Sequence, residues 1–140
     1  MDSVGIAKDG SVEIPSDIRD VGWYSNSALP SSKNGSTVFV GHRDGITATY
    51  GSFYDLSKLR IGDTVLVRTG KSLVFYAVSS TQILSDKEFS RQSGKIFSVK
   101  GKPSLKMISC IGPYIKKKGG YQSNIIVTAV PGPLAALSIP

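Results

Sequence analysis

The chain has 140 residues and a mass of 14.9 kDa, enough for one domain with a substantial core and too few for two ordinary ones. Its composition, 40% hydrophobic and 9% aromatic, excludes intrinsic disorder, while a single cysteine and a single histidine exclude an internal disulfide, a cysteine-rich zinc site and a histidine cluster. The net charge of +7 and a pI near 9.6 suit an anionic neighbour without choosing among nucleic acid, lipid headgroups and wall phosphate.

In chain order, "SVEIP" at 11–15 predicts a first strand, and "SDIRDV" at 16–21 a short helical turn with Ser16 as its cap. "STVFVGH" at 36–42 is a second apolar, β-branched run. "SFYDLSKL" at 52–59 is a second short helical candidate, capped by Ser52. "DTVLVRT" at 63–69 and "LVFYAVSSTQIL" at 73–84 predict two strands joined by a hairpin at "RTGKS", residues 68–72. "DKEFSRQSGKIFSVKGK" at 86–102 reads as a long, polar, basic insertion, either a solvated loop or a functional one. Two further strands follow, "SLKMISC" at 104–110 and "NIIVTAV" at 124–130, separated by a Gly/Pro/Lys-rich loop. The tail "PGPLAALSIP" opens with two prolines that cannot extend a ladder, so it is expected to leave the sheet. The sum is an all-β barrel with one or two short helices. No apolar run reaches the roughly 18 residues a membrane helix requires, and no signal peptide opens at Met1.

Both reactive singletons end a predicted strand: His42 closes "STVFVGH" and Cys110 closes "SLKMISC". A cysteine nucleophile needs a group that removes its proton or stabilises its thiolate, and histidine does this near neutral pH. The bland reading of each is a buried thiol that fills core and a hydrogen-bonded structural imidazole. Periodicity does not say whether the two strand ends are neighbours.

Longer words carry more. "VGWYSNSALPSSKNGSTVFVGHRD" at 21–44, "GSFYDLSKLRIGDTVLV" at 51–67 and "LKMISCIGPYIKKKGGYQSNIIVTA" at 105–129 resemble the sortases, cysteine transpeptidases of Gram-positive cell surfaces. The resemblance is to the class F group, with its Val-Gly-Trp-Tyr opening, Gly-His strand end, Phe-x-x-Leu-x-x-Leu-x-x-Gly-Asp segment and Thr-Cys strand end. It spans residues 10 to 131 and implies a closed eight-stranded β-barrel, with a catalytic domain over 1–131 and a tail over 132–140.

By that resemblance Cys110 is the nucleophile and His42 its histidine, while Ser109 stands where the family has threonine and is expected to orient substrate. The family's third catalytic residue is an arginine near the head of the following strand, and this chain has no arginine after Arg91. Asn124 best occupies that place, an amide that donates to an oxyanion without bringing charge. Lys116, Lys117 and Lys118 offer charge from the preceding loop, and an inactive family member is the third alternative. Gln122 and Arg43 are expected to line the substrate cleft.

The implied reaction cleaves an LPxTG-like sorting signal between Thr and Gly and joins the acyl group to an amine of a cell-wall precursor or a pilin. The alternative is a degenerate barrel that binds peptide without turnover. Sortases carry an N-terminal membrane anchor, so the chain is expected to start after one and to act on the outer face of a Gram-positive membrane. No cofactor is expected. The calcium site of some sortases needs acidic residues before the cysteine strand, where 87–102 offer only Glu88, so no metal is expected either. "FYDLSKLRIGD" is expected to pack Phe53, Leu56 and Leu59 beneath the barrel and to turn at Gly62 and Asp63. Trp23 and Tyr24 read as core or rim anchors, because no regular aromatic spacing forms a base-stacking platform; nucleic acid is not an expected partner.

Overall fold

A computed structural model describes residues 2–5, 15, 17, 19–44, 50–70, 72–118 and 120–138. Seven strands are present among them: β1 (Asp2–Val4), β2 (Val21–Tyr24), β3 (Ser36–Gly41), β4 (Thr64–Thr69), β5 (Ser72–Ser85), β6 (Ser104–Ile115) and β7 (Gly120–Ser138). One α-helix, α1 (Asp86–Ile96), links β5 to β6, and 3-10 turns lie at Leu56–Lys58 and Lys116–Lys118.

The strands form one mixed sheet in the order β1-β2-β3-β6-β7-β5-β4. Pairing is parallel for β1 with β2 and for β3 with β6, and antiparallel elsewhere. Register shifts at Val74/Tyr76 and Val78/Ser80 in β5 are of the kind that bends strands and curls a sheet. The expectation of an eight-stranded closed barrel is met only in its mostly-β character. Among the described residues there are seven strands, and the edge strands β1 and β4 each pair with a single neighbour, so the sheet is open.

Both faces of the central strands are buried, and residue parity sorts them. Phe39, Leu105, Met107, Ile125, Val127 and Ala129 join Leu56, Val67, Val74, Tyr76 and Val78 in one core. Val38, Val40, Ile108, Ile126 and Leu84 form a second core on the opposite face, closed by Ile96 of α1 with Phe89 and Phe97 packed against it. This two-sided burial explains why β3, β6 and β7 read as continuous apolar runs rather than alternating ones. Leu105, Val38, Val74 and Val127 are fully buried, and each such side chain contributes about 1.5–3 kcal/mol relative to exposure.

Three expectations are corrected. Residues 86–96 of the expected polar insertion are helical, because Ser85 and Glu88 form a capping box: the Glu88 amide donates to Ser85 Oγ and the Ser85 amide to Glu88 Oε1. The Gly/Pro/Lys-rich loop after Cys110 is largely a hairpin, with Tyr114 opposite Tyr121 and Ile115 opposite Gly120. The tail also stays in the sheet, since Ala136, Leu137 and Ser138 pair with Val74, Leu73 and Ser72. Its prolines fall at the register shift between Val74 and Tyr76, where an uninterrupted ladder of N–H donors is not required.

Other readings hold. The hairpin closes with Thr69 opposite Ser72 and a positive φ of 54° at Gly70. Leu56 is buried with Phe53 and Leu59 packed against the first core, and Gly62 turns at φ 95° while Asp63 Oδ2 accepts from the Arg60 amide. The expected Ser52 cap is a further correction: the short helical turn begins at Leu56 with Asp55 before it, and the Ser52 hydroxyl donates instead to the Asp20 carbonyl. The expected strand at 11–15, apart from Pro15, and the Ser16 cap lie outside the described residues.

Candidate active site

Cys110 lies in β6, directly opposite Asn124 of β7. On its other side β6 pairs in parallel with β3, and the register that sets Val40 against Ile108 carries His42, just past the strand end, to the level of Cys110. Val40, Ile108 and Ile126 belong to the helix-covered core, so the even-numbered positions that follow share their face. Cys110 and Asn124 are therefore side by side on adjacent strands, on the face that α1 covers and near the helix's first turn, and His42 follows the end of β3 at the level of Cys110.

The histidine is held from several directions. Its Nε2 lies 2.5 Å from the Pro15 carbonyl oxygen, and since a carbonyl only accepts, Nε2 carries the proton. That leaves Nδ1 as the ring nitrogen with a lone pair. The His42 carbonyl accepts from the Phe53 amide, the Arg43 carbonyl from the Gly51 amide, and Asp44 bridges Tyr50. Gly51 backs so closely onto His42 that a Cβ there would meet the His42 carbonyl carbon at 2.6 Å. Pro15 is buried against Gly22, which fixes the carbonyl that His42 meets.

Ser109 is buried, and its hydroxyl donates to the Gly41 carbonyl at 2.9 Å. The residue before the cysteine thus ties β6 to the residue before the histidine, within the fold. Gly41 has no room for a side chain: a Cβ would meet Ser52 Oγ at 2.6 Å and the Phe53 ring at 2.8 Å. Asn124 Nδ2 donates to Asp86 Oδ1 at 2.9 Å, an interaction for which the sequence offered no sign. Gln122 is half-buried two residues earlier on the same face of β7, and Arg43 is half-buried just past the histidine. Lys116 and Lys117 are exposed in the hairpin turn, and Glu88 is occupied in the helix cap.

Burial pushes the Cys110 thiol above its ordinary pKa, and the carboxylates of Asp86 and Asp44 push the same way. A nucleophilic role for this sulfur would therefore call for a base that takes its proton. The folded protein holds this proton to higher pH than the unfolded chain, so this group's contribution to stability declines as pH rises past the unfolded thiol's pKa. Iodoacetamide alkylation of Cys110, followed by mass against pH, should accordingly have a midpoint above that of an unstructured peptide cysteine.

Comparison with known proteins identifies the family and the fold. A sortase domain model covers residues 3–132. Among solved structures, sortase C-3 of Streptococcus pneumoniae aligns with a TM-score of 0.65 at 22% identity, covering 84% of this chain and 51% of its own. A sortase A of Actinomyces oris aligns at 0.65 with 18% identity, covering 84% and 63%. A pneumococcal sortase C, whose structure is described as bearing on catalysis and pilin substrate specificity, aligns at 0.63 with 20% identity, covering 86% and 54%. The chain spans roughly half to two thirds of the length of these structures, and at such identities they establish fold alone. No curated protein matches its sequence. With a family domain matched over residues 3–132, nearly the whole chain, the chain belongs to the sortase family.

Proposed function

We propose that the protein is a sortase-type cysteine transpeptidase, of the class F kind its sequence words suggest. It cleaves an LPxTG-like sorting signal between Thr and Gly and transfers the acyl group to an amine. The observation that carries this reading is the parallel register of β3 with β6, in which Cys110 follows Ile108 by two residues and His42 follows its partner Val40 by two.

His42 Nδ1 takes the Cys110 proton as the sulfur attacks the Thr carbonyl, forming a C–S bond and an oxyanion. Asn124 donates to that oxyanion. The C–N bond then breaks, the leaving glycine amine receives the proton from His42, and a thioacyl enzyme remains. An incoming amine loses its proton to His42 as it attacks, and the sulfur departs. The acceptor is an amine of a cell-wall precursor or a pilin lysine. The enzyme works at the outer face of a Gram-positive membrane, held there by an N-terminal anchor, where basic charge suits anionic headgroups and wall polymer.

The test incubates the protein with an LPxTG peptide and either hydroxylamine or triglycine and follows products by mass spectrometry. Cleavage between Thr and Gly, with a thioacyl adduct on Cys110 and no product from Cys110→Ala, is the expected result. Peptide binding without adduct or product, across a panel of motif variants, would replace it with the second reading, a binding barrel that has lost turnover. The absence of a family arginine beside Cys110 is what favours that second reading.

A further inference from the structure

We infer that Asp86 is a positioning residue of the Cys110 site, holding the Asn124 amide in place from the first turn of α1. This rests on the reading of Cys110 as the nucleophile. Three placements bring the groups together. Asn124 stands between Cys110 on β6 and Leu84 on β5, its cross-strand partners on the two sides. Leu84 is followed by Ser85, whose capping box starts α1, so the chain turns at that level and sets Asp86 above Asn124. The Asp86 carboxylate then accepts from Asn124 Nδ2 at 2.9 Å.

Chemistry fixes the sense of the contact. An ionised carboxylate only accepts, so the amide must turn its nitrogen towards Asp86. One Nδ2 proton is held there, and the other remains to donate to an oxygen forming beside Cys110. Without that acceptor the side chain loses the partner that chooses between its two amide orientations. The same carboxylate also opposes thiolate formation, together with Asp44 from the segment after β3. His42 at the end of β3 is the other titratable group borne at this level, and Asn124 from β7 is neutral.

An acidic residue in a first helical turn has an ordinary structural use, since it complements the helix dipole. The test must separate that use from positioning. Asp86→Ala removes the acceptor, Asp86→Asn keeps an acceptor oxygen and removes the charge, and Glu88→Gln alters the same turn away from Asn124. In nitrogen-15 spectra the Asn124 side-chain amide should shift markedly in Asp86→Ala, less in Asp86→Asn and not in Glu88→Gln. The alkylation midpoint of Cys110 should fall in both Asp86 variants and stay in place in Glu88→Gln. Peptide kcat/KM should drop between about tenfold and a hundredfold in Asp86→Ala, the scale of a mispositioned reacting group, with partial recovery in Asp86→Asn. An Asn124 amide unmoved by Asp86→Ala, or moved as much by Glu88→Gln, overturns the inference. If the wild-type protein turns over no sorting peptide, the proposed function fails, while the amide spectra and the alkylation profile still decide whether Asp86 positions Asn124.

Discussion

Replacing Gly51 by alanine should lower thioacyl-enzyme formation about a hundredfold, although Gly51 bears no chemistry of its own. The reason is contact geometry. A Cβ on Gly51 would reach the His42 carbonyl group and stand 2.9 Å from the His42 Cβ, distances at which backbone must move. The backbone that would yield is the segment that aims the imidazole. It is held on one side by the Gly51 amide on the Arg43 carbonyl and by the Phe53 amide on the His42 carbonyl. On the other side it is held by Nε2 on the Pro15 carbonyl. Displacing a reacting group by about 1 Å can cost a hundredfold in rate. His42→Ala sets the reference, since loss of a general acid–base residue costs about a hundredfold to ten-thousandfold. Gly51→Ala should approach that value in single-turnover assays while its far-ultraviolet circular dichroism stays native. Wild-type rates in Gly51→Ala would mean that this contact does not set the histidine's position.

Much of this candidate site is legible in the sequence, for physical reasons that differ by residue. Cys110 and His42 stand out because each is the only residue of its kind and each ends an apolar run, a pattern that local sequence carries in full. Their adjacency did not follow from periodicity, because a parallel pairing of β3 with β6 joins segments separated by β4, β5 and α1. Only the resemblance of whole words supplied it. The helix at 86–96 was missed because its interior is polar and contains Gly94, leaving Phe89 and Ile96 as a sparse apolar stripe. The signal that would have found it, Ser85 followed by Glu88 at capping-box spacing, was present in the chain.

The tail shows the opposite error. Two prolines argued for departure from the sheet, yet a register shift lets the chain pass them and resume pairing at Ala136. A rule about ladders applies to residues that must donate to the ladder, and bulges are where that demand lapses. Asp86 lay beyond local sequence for a related reason. Its partner Asn124 is 38 residues away and meets it only because β5, β7 and β6 are consecutive in the sheet.

Asn124 carries the second large expected effect. It occupies the cross-strand position beside Cys110, where the family resemblance leads one to expect arginine, and it offers a neutral donor. Removing one oxyanion donor costs about a hundredfold to a thousandfold in kcat, so Asn124→Ala should lose that much in peptide hydroxylaminolysis with KM little changed. Asn124→Arg tests the same position in the other direction. A guanidinium there would meet the Asp86 carboxylate that now holds the amide, keeping the side chain in place with a stronger, charge-assisted contact. It would also bring positive charge beside a thiol whose ionisation is opposed by burial and by two carboxylates. Turnover above wild type and an alkylation midpoint below it are the expected results for Asn124→Arg. If Asn124→Ala instead keeps full activity, the oxyanion is stabilised from elsewhere. Lys116 and Lys117, exposed on the hairpin turn that follows β6, are then the cations to replace next.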